Sequence, residues 1–393
     1  MVTAPAVVRP VSDRKTTVAV AAGGIAMFAL LYAPQPLLPQ LAAEYSLDPG
    51  TASLAVGVAT GGLAVGVLPI ASLSEVAGRR PVILVSVLAA AVLGLLLPLA
   101  PNYPVLLAMR AVQGLAVAGF AGVAAAYLAE RLGKAGVAAA VGAMIAGNTV
   151  GGMVGRVLSG VVADHLGLSG ALLTVGAFGL ACALLTVFTL PPIQYAAAPA
   201  PGDVLRGLGA AVRRPVLLGQ YAVAMLAMGS FVALYNAAGF RLTEPPLALP
   251  PAIASLVFLA YAMGTVSSSF AGRLIDRFGR VPAVVGALAV TVAGAGLTIV
   301  DSLPLVAIGF AVLTGGFFAA HAVANGTVAA ESPPGARGQA AGLYTLAYYL
   351  GSSVGGTVGT VVFDHAGWTW LIGTVTVWLT LSALAAVAVR SRH

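Results

Sequence analysis

Three ionisable side chains stand inside long apolar runs of this chain: Arg110, Arg156 and His321. A charge in hydrocarbon is costly, so such residues face a water-filled cavity or an acceptor-rich partner. Arginine brings a fixed positive charge and up to about five N–H donors for substrate oxygens. Histidine, with an ordinary pKa of about 6.5, can take up and release a proton near neutrality. Arg110 lies six residues after Pro104, about 9 Å inside its run at about 1.5 Å per residue. Arg156 precedes Asp164 by eight residues, about 12 Å. His321 stands ten residues before Glu331 and seventeen after Pro304. Each has a structural reading and a functional one. Arg110 either clamps backbone carbonyls of the fifth span or gives a cavity a positive bias. Arg156 either snorkels to the nearer interface or attracts substrate oxygens. His321 either bonds a neighbour in a polar core, contacts substrate or carries a proton. No Asp or Glu falls in the central part of any run; Glu130, Glu331 and Asp164 all sit at ends. Proton coupling therefore requires His321 or an edge carboxylate, unless coupling is weak or uses another gradient. Gln35, Gln113, Tyr235, Asn236, Asn325 and Tyr348 are the further polar candidates for lining a central cavity.

The elements that must position these groups follow from composition. Sixty per cent of the residues are hydrophobic and only 8% are charged, against about 25% charged in a soluble domain. The mean hydropathy is +1.01. Apolar runs of about 20 residues, long enough to cross a bilayer, recur throughout. Twelve spans are expected, at 17–39, 52–73, 81–100, 104–128, 136–162, 169–190, 216–239, 252–271, 281–300, 304–329, 338–362 and 368–389. Lipid leaves the backbone few other ways to satisfy itself, so the chain reads as an all-α integral membrane protein. The expected organisation is an N-terminal tail (1–16), a six-helix bundle (17–190), a polar linker rich in proline and arginine (191–215), a second six-helix bundle (216–389) and a short tail (390–393).

Charge orients the spans. Sixteen of the nineteen basic residues fall in the tails, the linker and alternate loops, and the opposite loops hold only Arg241 among six acids. Excess Lys and Arg marks the cytoplasmic side, which puts both termini in the cytoplasm of a cell whose inner (plasma) membrane the chain crosses. The net charge of +7 follows from this rim and is no argument for nucleic-acid binding. Arg14-Lys15 before an apolar run resembles a secretion signal, but the run is too long and eleven more follow. Cys182 is the only cysteine, which excludes an intramolecular disulfide and leaves no cysteine metal pattern. No nucleotide-binding loop, metal-ligand cluster or nucleophile triad is present, so neither an enzyme, a cofactor nor a metal site is expected.

The chain also repeats itself. Glu75-Val76-Ala77-Gly78-Arg79-Arg80 returns as Asp276-Arg277-Phe278-Gly279-Arg280, an offset of 201 residues that Glu130 and Glu331 share. Gly147-Asn148-x-x-Gly151-Gly152-x-x-Gly155 returns as Gly351-x-x-x-Gly355-Gly356-x-x-Gly359, offset by 204. Repeats of this length in an apolar chain are a mark of transporters built from related halves. Gly78 and Gly279 let the chain reverse at a helix end while the arginines meet headgroups or carboxylates. Such a loop is either an anchor for two helices or part of an inter-half latch. Arg79 and Arg280 are the expected partners of acids, and Arg80 the headgroup anchor. Glycines every four residues make a flat helix face for close approach, read either as tight packing or as a sliding contact between halves. Asn148 should face protein or cavity.

Gly272-x-Leu274-x-Asp276-Arg277-x-Gly279-Arg280 resembles the loop signature of the major facilitator superfamily. Arg110-x-x-Gln113-Gly114 resembles its fourth-span signature, and Gly147-Asn148-x-x-Gly151-Gly152 the antiporter signature of its proton-coupled exporters. Asn148 stands where that signature has proline, and Glu75-Val76 replaces an Asp-Arg pair. With Tyr32-x-x-Gln35-Pro36 and Tyr235-Asn236, the chain is similar to bacterial arabinose-efflux-permease-like exporters and, less closely, to drug:proton antiporters. The resemblance implies two pseudo-symmetric six-helix bundles, alternating access and a latching role for the loop motifs. The expected function is proton-coupled efflux of a small molecule, with proton-coupled uptake or a non-transporting membrane sensor as alternatives. The expected partners are lipid, a small-molecule substrate and protons; one polypeptide holds both bundles, so a monomer suffices.

Overall fold

The computed structural model describes residues 14–192 and 201–389. Most of the expected N-terminal tail, the C-terminal tail with Arg390 and Arg392, Arg9 and Pro199 lie outside the described residues. Among those described, the chain is helix and turn with no strand. Ten helical segments are long and apolar enough to cross a bilayer, among them Arg14–Tyr45, Pro49–Ala77, Arg79–Leu99, Tyr103–Leu132, Pro215–Thr243 and Leu303–Glu331. Two of the ten, Gly136–Thr189 and Arg337–Ala388, hold 54 and 52 residues. At about 1.5 Å per residue each is more than twice the bilayer's hydrocarbon thickness, so each is two crossings. The reversals fall at Gly167 and Gly367, with φ of +65° and +82°, a backbone conformation that suits glycine because it has no Cβ. Counting each as two spans gives twelve.

Local chemistry starts and stops these helices. Asp48 and Asn102 accept the N–H groups of Thr51 (2.7 Å) and Val105 (3.0 Å) at the starts of spans two and four, each with a proline in the first helical positions. The Thr51 bonds hold the Asp48 carboxyl below the usual carboxylate range. Spans two and eight end at Gly78 and Gly279, where φ reaches +90° and +82° before the next span begins. The expected linker is partly structured: Pro201–Val212 is helical, and Gly207 packs on the Gln339 side chain at the foot of span eleven.

Buried apolar side chains form two large clusters. One draws on positions from Ala19 to Leu190, joined by Phe240 and Tyr349; the other runs from Ala211 to Ala386. Large apolar side chains such as Val65, Val85, Phe188 and Trp370 point outward, as hydrocarbon allows. The result is two six-helix bundles that meet along a polar and aromatic seam.

Candidate functional site

The site begins with a break in span one. Its helix stops at Tyr32 and resumes at Leu38 after a tight turn over Gln35–Leu37. Pro34 and Pro36 cause this, because neither has an N–H to continue the ladder. The carbonyls of Leu30 and Ala33 need other donors, and span four and span five supply them. Arg110 donates from Nη1 to the Leu30 carbonyl (3.0 Å), from Nη2 to that of Leu31 and from Nε to that of Ala55 (2.8 Å). It also bonds the Gln113 side-chain oxygen, while Gln113 donates to the Ala90 carbonyl at 2.8 Å. Ser159 donates to Ala33 at 2.9 Å. Arg110 and Gln113 are fully buried. Arg110 is thus a clamp on the carbonyls of spans one and two, not on span five and not in a cavity; the proline break leaves open the two span-one carbonyls it satisfies.

The same break delivers Gln35 to the plane between the bundles. Arg156 donates from Nε to Gln35 Oε1 at 2.6 Å, from Nη1 to the Gly152 carbonyl at 2.7 Å and from Nη2 to the Tyr261 hydroxyl at 3.1 Å. Gln35 passes a bond on, its Nε2 donating to Asn236 Oδ1 at 2.7 Å. Two of these bonds, to Tyr261 and to Asn236, cross between halves. Gln35 and Asn236 are 201 residues apart, on the first span of each half. The guanidinium carbon lies 4.0 Å from the Tyr32 ring centre, 4.5 Å from Tyr261 and 5.3 Å from Phe258, within cation–π range. Arg156 is 1% exposed. It does not snorkel: the acceptors and ring faces of the seam hold it inside. Among the described residues no carboxylate pairs with it.

Tyr235 is buried beside this network, its hydroxyl 2.7 Å from that of Thr314 and its ring against Tyr261, Phe258 and Phe310. A run of rings continues through Tyr261, Phe231 and Phe317 to His321, with neighbouring centres 5.4, 4.0 and 6.2 Å apart. His321 is half-buried. Its Nδ1 is 2.9 Å from the Tyr344 hydroxyl, and Tyr348 lies 4.7 Å from its ring. Asn325, one turn further toward the basic loops, is exposed. Phe258, Tyr261 and Tyr344 were not marked by the sequence, and Tyr32 only within the Tyr32-x-x-Gln35-Pro36 stretch; they sit in apolar runs like any packing aromatic.

The two ends of the molecule differ. Toward the acidic loops, Asp164 Oδ2 accepts the Ala252 N–H at 3.0 Å, tying span five to the start of span eight. Ser353 of span eleven donates to the Gly57 carbonyl of span two at 2.7 Å. Toward the basic loops, Arg79 pairs with Glu130, and Arg280 with Glu331 at 2.6 Å. These pairs lie within one bundle each, so the described acid–base contacts of the loop motifs do not bridge the halves. Glu75 is half-buried and Asp276 exposed. Arg80 donates to the Leu190 carbonyl at 2.9 Å, at the end of span six.

The glycine faces are also internal to each bundle. Gly147, Gly151 and Gly155 press on the backbone of Ala21, Ile25 and Ala29 in span one. Gly351, Gly355 and Gly359 meet Met225, Gly229 and Ala233 in span seven. The sliding contact between halves is therefore corrected to tight packing within them, because the glycines leave no space between backbones. Asn148 faces protein at Gly24, and its Oδ1 is buried with no hydrogen-bond partner among the described residues. Gly152 differs: apart from Arg156, a side chain there would meet only Phe28, at 3.9 Å.

Twelve spans in two related bundles, a broken first span and polar groups at the seam define a membrane carrier of the secondary type. The sequence profile of the Major Facilitator Superfamily matches residues 20–267 and again 246–393, and the chain belongs to that family. It is 36% identical over 380 residues to the inner membrane transport protein YnfM of Escherichia coli (strain K12), covering 96% of this chain and 91% of that one. It is also 36% identical over 365 residues to the MFS-type transporter YybF of Bacillus subtilis (strain 168), covering 92% and 90%. Its fold matches the inward-facing, unoccupied crystal structure of a bacterial homologue of the human lysosomal transporter Spinster, with a TM-score of 0.76 at 14% identity over 97% of this chain and 98% of that one.

Proposed function

We propose that this transporter exports a small molecule from the cytoplasm in exchange for protons, with both chain ends cytoplasmic. Residues 17–190 and 216–389 act as the two rocking bodies, joined by the linker 191–215. The observation that carries this reading is the placing of His321 on the basic-loop side of the Arg156–Gln35–Asn236 network, half-buried and bonded to Tyr344. With basic loops inside, the ties at Asp164–Ala252 and Ser353–Gly57 close the external face, and His321 stays on the cytoplasmic side of the seal. A histidine so placed gives up its proton to the cytoplasm in this state and recovers one when the seal opens outward. Substrate that binds the deprotonated carrier is then exchanged for that proton, since each ligand biases the equilibrium only through its differential affinity for the two states.

The test uses everted vesicles with an acid lumen and a lumenal pH reporter. Cationic dyes, neutral sugars and organic anions are added in turn to the intact protein and to His321→Ala. Substrate-dependent proton release, lost in the variant while substrate binding persists, is the expected result. Release that survives the substitution removes His321 as the carrier of the proton. Labelled substrate entering the vesicles with no proton release sinks antiport altogether.

A further inference from the structure

We infer that Arg156 is the anion-binding subsite of this carrier, and that its substrate carries a carboxylate on an aromatic or similarly flat apolar body. The inference rests on the export reading for the location of the site and adds the chemistry of its occupant. Arg156 is a full positive charge at 1% exposure with no carboxylate partner among the described residues. Its three hydrogen-bond acceptors are all neutral: an amide oxygen, a backbone carbonyl and a phenol. Removing a charge from water is costly, neutral dipoles offset that cost only in part, and a well-placed opposite charge adds direct Coulomb attraction. Arg110 makes the contrast. It too is buried without an acid, but it closes carbonyls that the proline break leaves open, and it bridges helices of one bundle only. Arg156 faces the seam where the halves must part.

Its donors are incompletely used. Of the two N–H groups on each terminal nitrogen, the bonds to Gly152 and Tyr261 engage one apiece. One N–H on each nitrogen is left for a ligand. The Nε bond to Gln35 is exchangeable, because a carboxylate brings a full opposite charge and two oxygens for a bidentate pair, where the amide offers one neutral oxygen. When a carboxylate takes that place, Gln35 is freed, and with it the Gln35–Asn236 bond that crosses between the halves. Binding and unsealing are then one event.

The surroundings fix the rest of the ligand. Tyr32, Phe258 and Tyr261 surround the guanidinium, and the ring run through Phe231 and Phe317 leads away from it toward His321. These faces suit a flat apolar body behind the charged end. A cationic substrate would meet like charge at low dielectric, which rejects it. The repeat-equivalent position, 204 residues on, is the neutral Thr360, so the fixed charge belongs to one half alone and a single anion satisfies it.

The experiment is equilibrium binding to the full chain in nanodiscs. Radiolabelled benzoate is competed by phenylacetate, indole-3-acetate, the neutral benzamide and the cationic benzyltrimethylammonium. Benzamide and the cation are expected to compete about tenfold more weakly than the carboxylates, or worse, as the loss of a charge-assisted bond implies. Arg156→Gln should bring the carboxylate-to-amide ratio to near one, and Arg156→Lys should keep part of it. This ratio, taken within one variant, does not move if the arginine only holds the halves together. Equal competition by benzamide, a preference that survives Arg156→Gln, or no saturable binding by any carboxylate would each overturn the inference. No gradient is imposed, so carboxylate binding without proton exchange would leave this subsite standing and remove the antiport reading. Proton exchange driven only by neutral compounds would do the reverse.

Discussion

Arg110 and Arg156 are the same residue type at similar depth, and their partners decide what each can do. The Arg110 guanidinium spends four bonds on three backbone carbonyls and Gln113. Arg110→Ala strands those carbonyls in a buried setting, where each unsatisfied group costs roughly 1–3 kcal/mol. The expected outcome is a loss of about 2–4 kcal/mol in stability, read as a lower melting temperature in detergent, with the carboxylate-to-amide binding ratio of the surviving protein unchanged. A melting temperature equal to that of the intact protein would remove the clamp. The sequence showed that both arginines had to meet something polar. It did not show what, because Gln35 lies 121 residues from Arg156 and Ala55 lies 55 from Arg110, and no local pattern links such positions.

At the scale of the element, proline and glycine do opposite work. Pro34 and Pro36 break span one and expose carbonyls and an amide side chain at the seam. The glycine faces of spans five and eleven let spans one and seven approach backbone to backbone. A Cβ at Gly151 would lie 2.5 Å from the Ile25 Cα, with the Ile25 carbonyl closer still, and backbone gives way less readily than a side-chain end. Gly151→Ala should therefore cost about 1–3 kcal/mol in stability and depress transport. Gly286→Ala, exposed in span nine with nothing within 4 Å, should change stability by less than about 1 kcal/mol. Thermal unfolding of the two variants side by side decides it, and equal effects would argue against the packing role. The four-residue glycine period was legible in the sequence. Its partner helix was not, since a flat face accepts any helix that can reach it.

Over the whole molecule, the described ties between halves join spans two and eleven, spans five and eight, and, through Gln35 and Asn236, spans one and seven. A Cβ at Gly61 would sit 3.7 Å from the Ser353 Cβ, close to the roughly 3.8 Å mean of a disulfide. Gly61→Cys with Ser353→Cys, made on a Cys182→Ala background, should cross-link the bundles on oxidation. Transport should stop and return with reductant, while each single variant stays active. A cross-linked protein that transports at the full rate would show that spans two and eleven need not separate at this level.

The sequence by itself determined the solvent, the number of spans, the twofold repeat and the two charged faces. These follow from local regularities: apolar run length against bilayer thickness, a constant offset near 201 residues, and the cost of charge in hydrocarbon. It also marked Arg110, Arg156 and His321, because an ionisable group in such a run stands out alone. Only the tertiary structure decided that Arg110 closes a broken helix, that the loop-motif ion pairs and glycine faces stay within one bundle, and that Arg156 turns into the seam with Gln35 and Asn236. The reason is geometric. Each outcome depends on how far a helix is rotated and which helix lies against it, and that rotation is set by the packing of all twelve spans together, while a side chain's neighbours along its own helix carry no record of it.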